Sequence, residues 1–205
     1  MSGGADDDGL VQAHIAGDPD AFGELVRRHR DVLWAVALRT TGNPSDAEDA
    51  LQEALVSALR YAGRFEGRSA VRTWLYRIVV NASLDRIRRR SAHPVDALGD
   101  DDPPHPVDEV ARVADRLDVL AALRQISPGQ RAAVVLVHIE GLSVSEAAEV
   151  LDLPEGTVKS RCSRGRAQLA GLLRPGNPDG VEGVEDVDGT ATGTTTTTGR
   201  AGDPA

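Results

Sequence analysis

Apolar residues recur at helical spacing in several separate stretches of this chain, each bounded by residues that start or stop helices. The first stretch places Phe22, Leu25, Val26, His29, Leu33, Val36 and Ala37 on one side of a long helix running to Thr40. Asp18 and Pro19 open it as N-cap and first turn, and Gly42, Asn43 and Pro44 close it. Ser45 and Glu48 then have capping-box spacing and start a helix from Asp46 to Leu59, whose apolar side is Ala47, Ala50, Leu51, Ala54, Leu55, Ala58 and Leu59. A loop from about Arg64 to Ala70 leads into a third helix, from Val71 to about Arg90, built on Val71, Trp74, Leu75, Ile78, Ala82 and Leu84. A fourth, near Arg112 to Gln125, carries Leu117, Leu120, Ala121 and Leu123. Ser127, Pro128 and Gln130 signal the start of a fifth, which continues to about Ile139 on Ala132, Val135, Leu136 and Ile139. The pattern predicts an all-α protein.

The stretch from Gly141 to Leu172 reads as a helix-turn-helix. Ser143 and Glu146 form a capping box for a short helix to about Leu151, Asp152 and Leu153 make the turn, and Pro154 suits the first turn of the next helix. On that second helix Val158, Cys162, Gly165 and Leu169 share one side, while Lys159, Ser160, Ser163 and Arg164 share another. A cationic helical hairpin is often only a solvated surface. A capped short helix, a three-residue turn and a cationic second helix in succession favour a major-groove reader. Arg161 and Arg166 flank the reading face and suit phosphate contacts. Gly165 lies inside this helix, where it costs about 1 kcal/mol of helix propensity relative to Ala unless close packing requires it.

Three polar stretches divide the chain. Residues 1 to 9 are rich in Gly and Asp and are expected to be disordered, with order beginning near Leu10. Residues 93 to 111 carry six acids, no Lys or Arg and a cluster of prolines, the composition of a flexible linker. Residues 175 to 205, with their Thr run, read as a disordered, solvating tail. The organisation expected is therefore two small helical domains, at 10 to 92 and 112 to 174, joined by an acidic tether. The formal net charge of −9 hides a local asymmetry, since residues 60 to 92 carry +7 and residues 112 to 174 carry +2. Both segments keep a field suited to nucleic acid.

The single cysteine excludes an intramolecular disulfide, and the five histidines show no metal-ligand spacing, so no metal or cofactor is expected. No nucleophile and base pair, carboxylate pair or phosphate loop suggests an enzyme. No apolar run is long enough for a membrane span and the N-terminus is acidic, which predicts a cytoplasmic protein without membrane insertion. In the basic segment, Arg64, Arg68, Arg72, Tyr76, Arg77, Asn81 and Arg88 lie in the loop or off the apolar side of the following helix. Such a surface binds a phosphate backbone and can hold an unstacked base by stacking or amide hydrogen bonds. Asp49, Gln52 and Glu53 project away from the apolar side of the preceding helix; from composition alone, solvation and interaction with the helix dipole account for them.

The order of these parts carries a resemblance. GDPDAFGELVRRH, NPSDAEDALQEAL, RFEGRSAVRTWLYRIVVNASLDRIRRR and ISPGQRAAVVLVHIEGLSVSEAAEVLDLPEGTVKSRCSRGRAQL, in this order and spacing, make the chain from about Leu10 to Leu173 resemble the extracytoplasmic-function sigma factors of bacterial RNA polymerase. The resemblance implies a region 2 domain, then a region 4 domain, with no region 3 domain between them. It implies that Asp49, Gln52 and Glu53 dock on the β′ subunit of core polymerase, which also comprises the β subunit. It implies too that the loop Arg64 to Ala70, with Tyr76, Arg77 and Asn81, engages the single-stranded −10 element of promoter DNA. Lys159, Ser160, Ser163 and Arg164 match positions facing the duplex −35 element, and Ser163, small where many relatives have a larger side chain, is the weakest of them. An anti-sigma factor is a further implied partner. The rivals are a stand-alone helix-turn-helix regulator, which has no use for the basic segment at residues 60 to 92, and an antagonist that holds a sigma factor, against which both basic surfaces speak.

Overall fold

The computed structural model describes residues 6–92 and 110–174, and the regular structure among them is helical. The expectations for residues 1–5, for 93–109 and for the tail 175–205 lie outside the described residues. The first domain comprises α1 (Asp7–Ile15), α2 (Ala21–Thr41), α3 (Pro44–Tyr61), a 3₁₀ turn (Ala62–Arg64) and α4 (Val71–Ala92). Helices α2, α3 and α4 pack on one another, and α1 lies against α2. The second domain comprises α5 (Val110–Gln125), α6 (Pro128–Val134) continuing into a π-helical turn (Val135–Ile139), α7 (Val144–Leu151) and α8 (Glu155–Leu172).

Several helix starts differ from the sequence reading, each for a local reason. Order begins before Leu10: Asp6 accepts a hydrogen bond from the Gly9 amide at 2.7 Å and caps α1, while Asp7 and Asp8 favour its positive end. Leu10 and Val11 are then buried, and Asp7 bonds His29 at 2.7 Å, so tertiary contacts hold a helix that its Gly- and Asp-rich lead-in concealed. Asp18 does not cap α2; its carboxylate accepts from the Asp20 amide at 2.9 Å in a turn that precedes the helix. The start of α3 is not the box at Ser45. Asn43 is its N-cap, accepting from the Asp46 amide at 3.1 Å, and Pro44 occupies the first turn. Ser127 makes no side-chain cap bond to α6. The box at Ser143 is complete, with Glu146 accepting from the Ser143 amide at 2.8 Å and Ser143 Oγ accepting from the Glu146 amide at 3.1 Å.

The chain leaves α2 through Gly42, whose φ of +77° is the left-handed conformation that terminates a helix with no Cβ penalty. A Cβ there would also stand 2.7 Å from Cγ of Arg124, a residue of the second domain. The two domains are thus in contact. Helix α7 lies against α4 and α6 against α2, and one buried apolar cluster includes Leu33, Val36, Leu75 and Val79 of the first domain and Leu136, Ala147, Val150 and Val158 of the second. Burying each Val or Leu side chain in such a cluster stabilises by about 1.5–3 kcal/mol. The two helical domains expected on either side of the acidic stretch therefore share one buried cluster.

Candidate nucleic-acid and polymerase interfaces

Helix α8 carries the residues expected to read duplex DNA. Val158, Cys162 and Gly165 are buried against the rest of the domain, which turns Lys159, Ser163 and Arg164 outward and exposed. Burial pushes the Cys162 thiol up, against a smaller opposing effect of Arg166. Lys159 pairs with Glu155 at 3.4 Å, an exposed contact worth little. Ser160 is half-buried; its hydroxyl donates to the Thr157 carbonyl at 2.9 Å and accepts from Arg164 Nη2 at 3.3 Å. Ser160 therefore orients Arg164 as much as it presents a group of its own.

The two flanking arginines differ. Arg166 is exposed, whereas Arg161 is half-buried and lies over Gly129 at the start of α6, where an added Cβ would stand 3.0 Å from Arg161 Nη1. Gly165 is explained by packing: its Cβ would lie 2.8 Å from Val134 Cγ2 and 3.4 Å from Gln130 Cβ, so the glycine lets α8 approach α6 closely.

In the first domain, α4 and the loop before it hold the residues expected to bind single-stranded DNA. Arg64 lies over the Tyr61 ring, 4.8 Å from its centroid, and Arg68 pairs with Glu66 at 2.5 Å; both arginines are exposed. Arg77 and Asn81, four residues apart on one stripe of α4, are exposed. Arg88 is exposed further along and pairs with Asp85 at 2.6 Å. Trp74 packs on Phe65 with ring centroids 5.3 Å apart, which is the core role its spacing predicts.

Tyr76 departs from the set. It was expected off the buried side of α4, but its accessibility is 0%, because the second domain covers it. Its hydroxyl donates to Glu140 Oε2 at 2.8 Å and accepts from Arg72 Nε at 2.8 Å. Burial, and then the bond to Glu140, push the phenol up to about 12. Arg72 is held here as well, 5.0 Å from the Tyr76 ring centroid and donating to the Glu140 carbonyl at 3.2 Å.

The acidic face of α3 is paired within the chain. Asp49 meets Arg86 at 2.6 Å, and Glu53 accepts two bonds from Arg89, at 3.0 and 2.8 Å; Gln52 is exposed beside them. The bidentate Arg89 contact lowers the Glu53 carboxyl below its ordinary value, partly opposed by burial. Asp46, buried to 5%, accepts from Arg86 at 3.0 Å and from Arg90 at 2.8 Å, and so ties α3 to α4. Leu59, expected on the buried side of α3, is instead exposed, as are Val56 one turn before it and Tyr61 at the end of the helix. Asp46, Glu140 and Arg131, whose buried guanidinium donates to the carbonyls of Thr40 and Thr41 at the end of α2, are structurally important polar residues that the sequence reading missed. Nothing in their local sequence separates them from solvated charges, since the partners that tie them to other helices lie 40, 91 and 101 residues away.

Two family models match the chain and divide it as the fold does: Sigma-70 region 2 over residues 25–93 and Sigma-70, region 4 over residues 116–169. Both are parts of the sigma-70 class of transcription factors. Over 165 residues the chain is 50% identical to the ECF RNA polymerase sigma factor SigM of Mycobacterium tuberculosis, covering 80% of this chain and 83% of that protein. The chain belongs to the extracytoplasmic-function sigma factors. Two solved structures agree: the sigma factor RpoE in complex with the anti-sigma factor NepR from Bartonella quintana (TM-score 0.64, 29% identity, 75% of this chain and 97% of that one), and CnrH in complex with the cytosolic domain of CnrY (TM-score 0.58, 34% identity, 80% and 94%). The stand-alone regulator is not favoured. Among the described residues no helix is long and apolar enough to cross a membrane, and no cluster of potential metal ligands occurs.

Proposed function

We propose that this sigma factor acts through three surfaces: Asp49, Gln52 and Glu53 on α3 dock on core polymerase, exposed α8 residues read the −35 duplex, and α4 with its preceding loop captures the opened −10 strand. The observation that carries the reading is the exposed pair Arg77 and Asn81 on one stripe of α4, with Arg64 and Arg68 exposed in the turn and loop before it. Guanidinium groups neutralise phosphates, and the Asn81 amide supplies both a donor and an acceptor to a base edge. Trapping an unstacked base offsets the cost of opening the duplex. On α8, Lys159, Arg164 and Ser163 face outward for the major groove, with Ser160 orienting Arg164; Arg166 is the better placed phosphate contact, and Arg161 can reach a phosphate only from beside α6. The protein is a non-enzymatic initiation factor working in the cytoplasm, without metal or cofactor, and an anti-sigma factor is its regulatory partner.

The test is promoter-specific run-off transcription with core polymerase. Asn81→Ala should impair open-complex formation, read by permanganate reactivity of unpaired thymines, more than it impairs duplex binding; equal loss of both would remove the −10 role. Asp49→Lys combined with Glu53→Lys should weaken binding to core polymerase, and unchanged affinity would remove that assignment. Because both acids are already paired with Arg86 and Arg89, docking on polymerase exchanges one set of ion pairs for another.

A further inference from the structure

We infer that α1, through Leu10 and Val11, positions the loop from Glu66 to Ala70 for capture of the −10 strand. The inference rests on the reading of Arg64 and Arg68 as −10 contacts, and it gives a role to a helix that lies ahead of the region 2 match, which begins at residue 25. Glu66, Gly67, Arg68 and Ala70 are exposed, so the loop has no packing of its own to fix its path. Its two ends have to supply that. At the far end Val71, 3% exposed, opens α4. At the near end the 3₁₀ turn is closed by the Phe65 amide, which donates to the Ala62 carbonyl at 2.9 Å. Ala62 and Phe65 are buried, whereas Gly63 and Arg64 between them are exposed. Phe65 is therefore the last buried residue before the loop, and Trp74 of α4 meets its ring on one side.

Helix α1 supplies a second wall. Its Cα atoms come within 8 Å of those of the 3₁₀ turn, and Leu10 and Val11 belong to the buried cluster that also takes in Ala58, Phe65 and Val71. Val11 is 1% exposed. The helix is in turn fastened to α2: Asp7 reaches Arg28 at 3.3 Å and His29 at 2.7 Å, and the His14 ring lies 5.2 Å from that of Phe22. Nine residues with a glycine among them make a marginal helix in water, so these contacts rather than propensity hold α1 in place. Support thus passes from α2 through α1 to the turn, and from the turn to the loop. With α1 displaced, Ala62 and Phe65 lose cover on one side, and the side chains of Arg64 and Arg68 must be ordered at the moment DNA binds, an entropic cost that a preset loop has already met. Leu10 and Val11, being buried, touch no DNA; they are positioning residues.

The test uses the full chain assembled with core polymerase. The probe is the fluorescein-labelled non-template −10 strand of a promoter that gives run-off product with this holoenzyme. Val11→Asp drives α1 off the surface, because an unpaired carboxylate does not stay buried, and Val11→Ala only trims the contact and serves if the first variant fails to fold. Val11→Asp should weaken capture of the strand about ten-fold, the cost of ordering two long side chains on binding, and Val11→Ala should weaken it less. Binding to core polymerase and to a −35 duplex should stay within about two-fold of wild type, a split that general destabilisation does not produce. The loop base is followed in the free chain in a Trp34→Phe background, which leaves Trp74 as the only tryptophan of the two in the chain. Its emission should shift to the red in both Val11 variants as Phe65 loosens. Unchanged capture in both variants, an equal loss in all three binding measurements, or weakened capture with Trp74 emission unmoved would overturn the inference. The underlying reading is checked separately by Arg64→Ala combined with Arg68→Ala. If that pair leaves capture intact, the −10 reading of the loop falls; if it weakens capture while the Val11 variants behave as wild type, that reading stands and only the role of α1 is lost.

Discussion

Gly165→Ala pits a local preference against a tertiary contact, and the structure decides which wins. In an open helix the change stabilises by about 0.8–1 kcal/mol, because Gly loses more backbone freedom on folding than Ala. At this position the new methyl would stand 2.8 Å from Val134 Cγ2, with Gln130 Cβ at 3.4 Å and the Gln130 carbonyl oxygen at 3.5 Å on the same side. Val134 is 4% exposed and lies on a helix, so its side chain has essentially one comfortable rotamer and no space to swing into. Relief requires α8 to back away from α6, an overpacking cost of about 1–3 kcal/mol. The net expectation is destabilisation of about 1 kcal/mol, confined to α6 and α8. Native-state hydrogen exchange reads this directly, as faster exchange of α8 amides with α3 amides unchanged. Val134→Ala in the same chain should remove the penalty, so that the double variant is more stable than Val134→Ala alone. A Gly165→Ala protein with slower α8 exchange than wild type would refute the close-packing argument.

Two further outcomes are expected. In a Tyr61→Phe variant Tyr76 is the only tyrosine left, since the chain has two, and alkaline absorbance titration should show it protonated until near pH 12. The sign follows from a folded value raised above the ordinary 10: the contribution is whole below about pH 10 and is lost as pH rises toward 12, and Glu140→Gln should bring the transition down. A Tyr76 transition already complete near 10 would remove the Glu140 contact. Glu53 has the opposite sign. Held below its ordinary 4.5 by Arg89, it contributes stability above that value and loses it as pH falls through the lower folded value. Glu53→Gln should accordingly flatten the acid limb of a Tm-against-pH profile, and an unaltered limb would show that this exposed pair does no more than most surface pairs.

Much of this molecule was legible locally. Helix identity followed from apolar spacing, and the start of α7, the first helix of the helix-turn-helix, followed from a capping box that needs only residues three apart. The outward set on α8 and the pair Arg77 and Asn81 were found the same way, because a helix that buries one stripe must expose the other. What failed locally failed where two cap signals compete over a few residues, as at Asn43 against Ser45, or where burial rescues a weak helix, as at Asp6 to Leu10.

The sequence by itself determined the helices, their order, the cationic stripes proposed to face DNA, and the family. Only the tertiary structure decided which members of those surfaces are free. Tyr76 and Asn81 were both expected off the apolar side of α4, yet one is covered and bonded to Glu140 while the other faces outward. Arg161 and Arg166 flank α8 equally in sequence, but only one has an α6 glycine to lie upon. The physical reason is the same in each case: helical periodicity is set by neighbours three and four residues away, whereas the partner of a buried charge or phenol here lies up to 101 residues along the chain, at a distance no local pattern encodes.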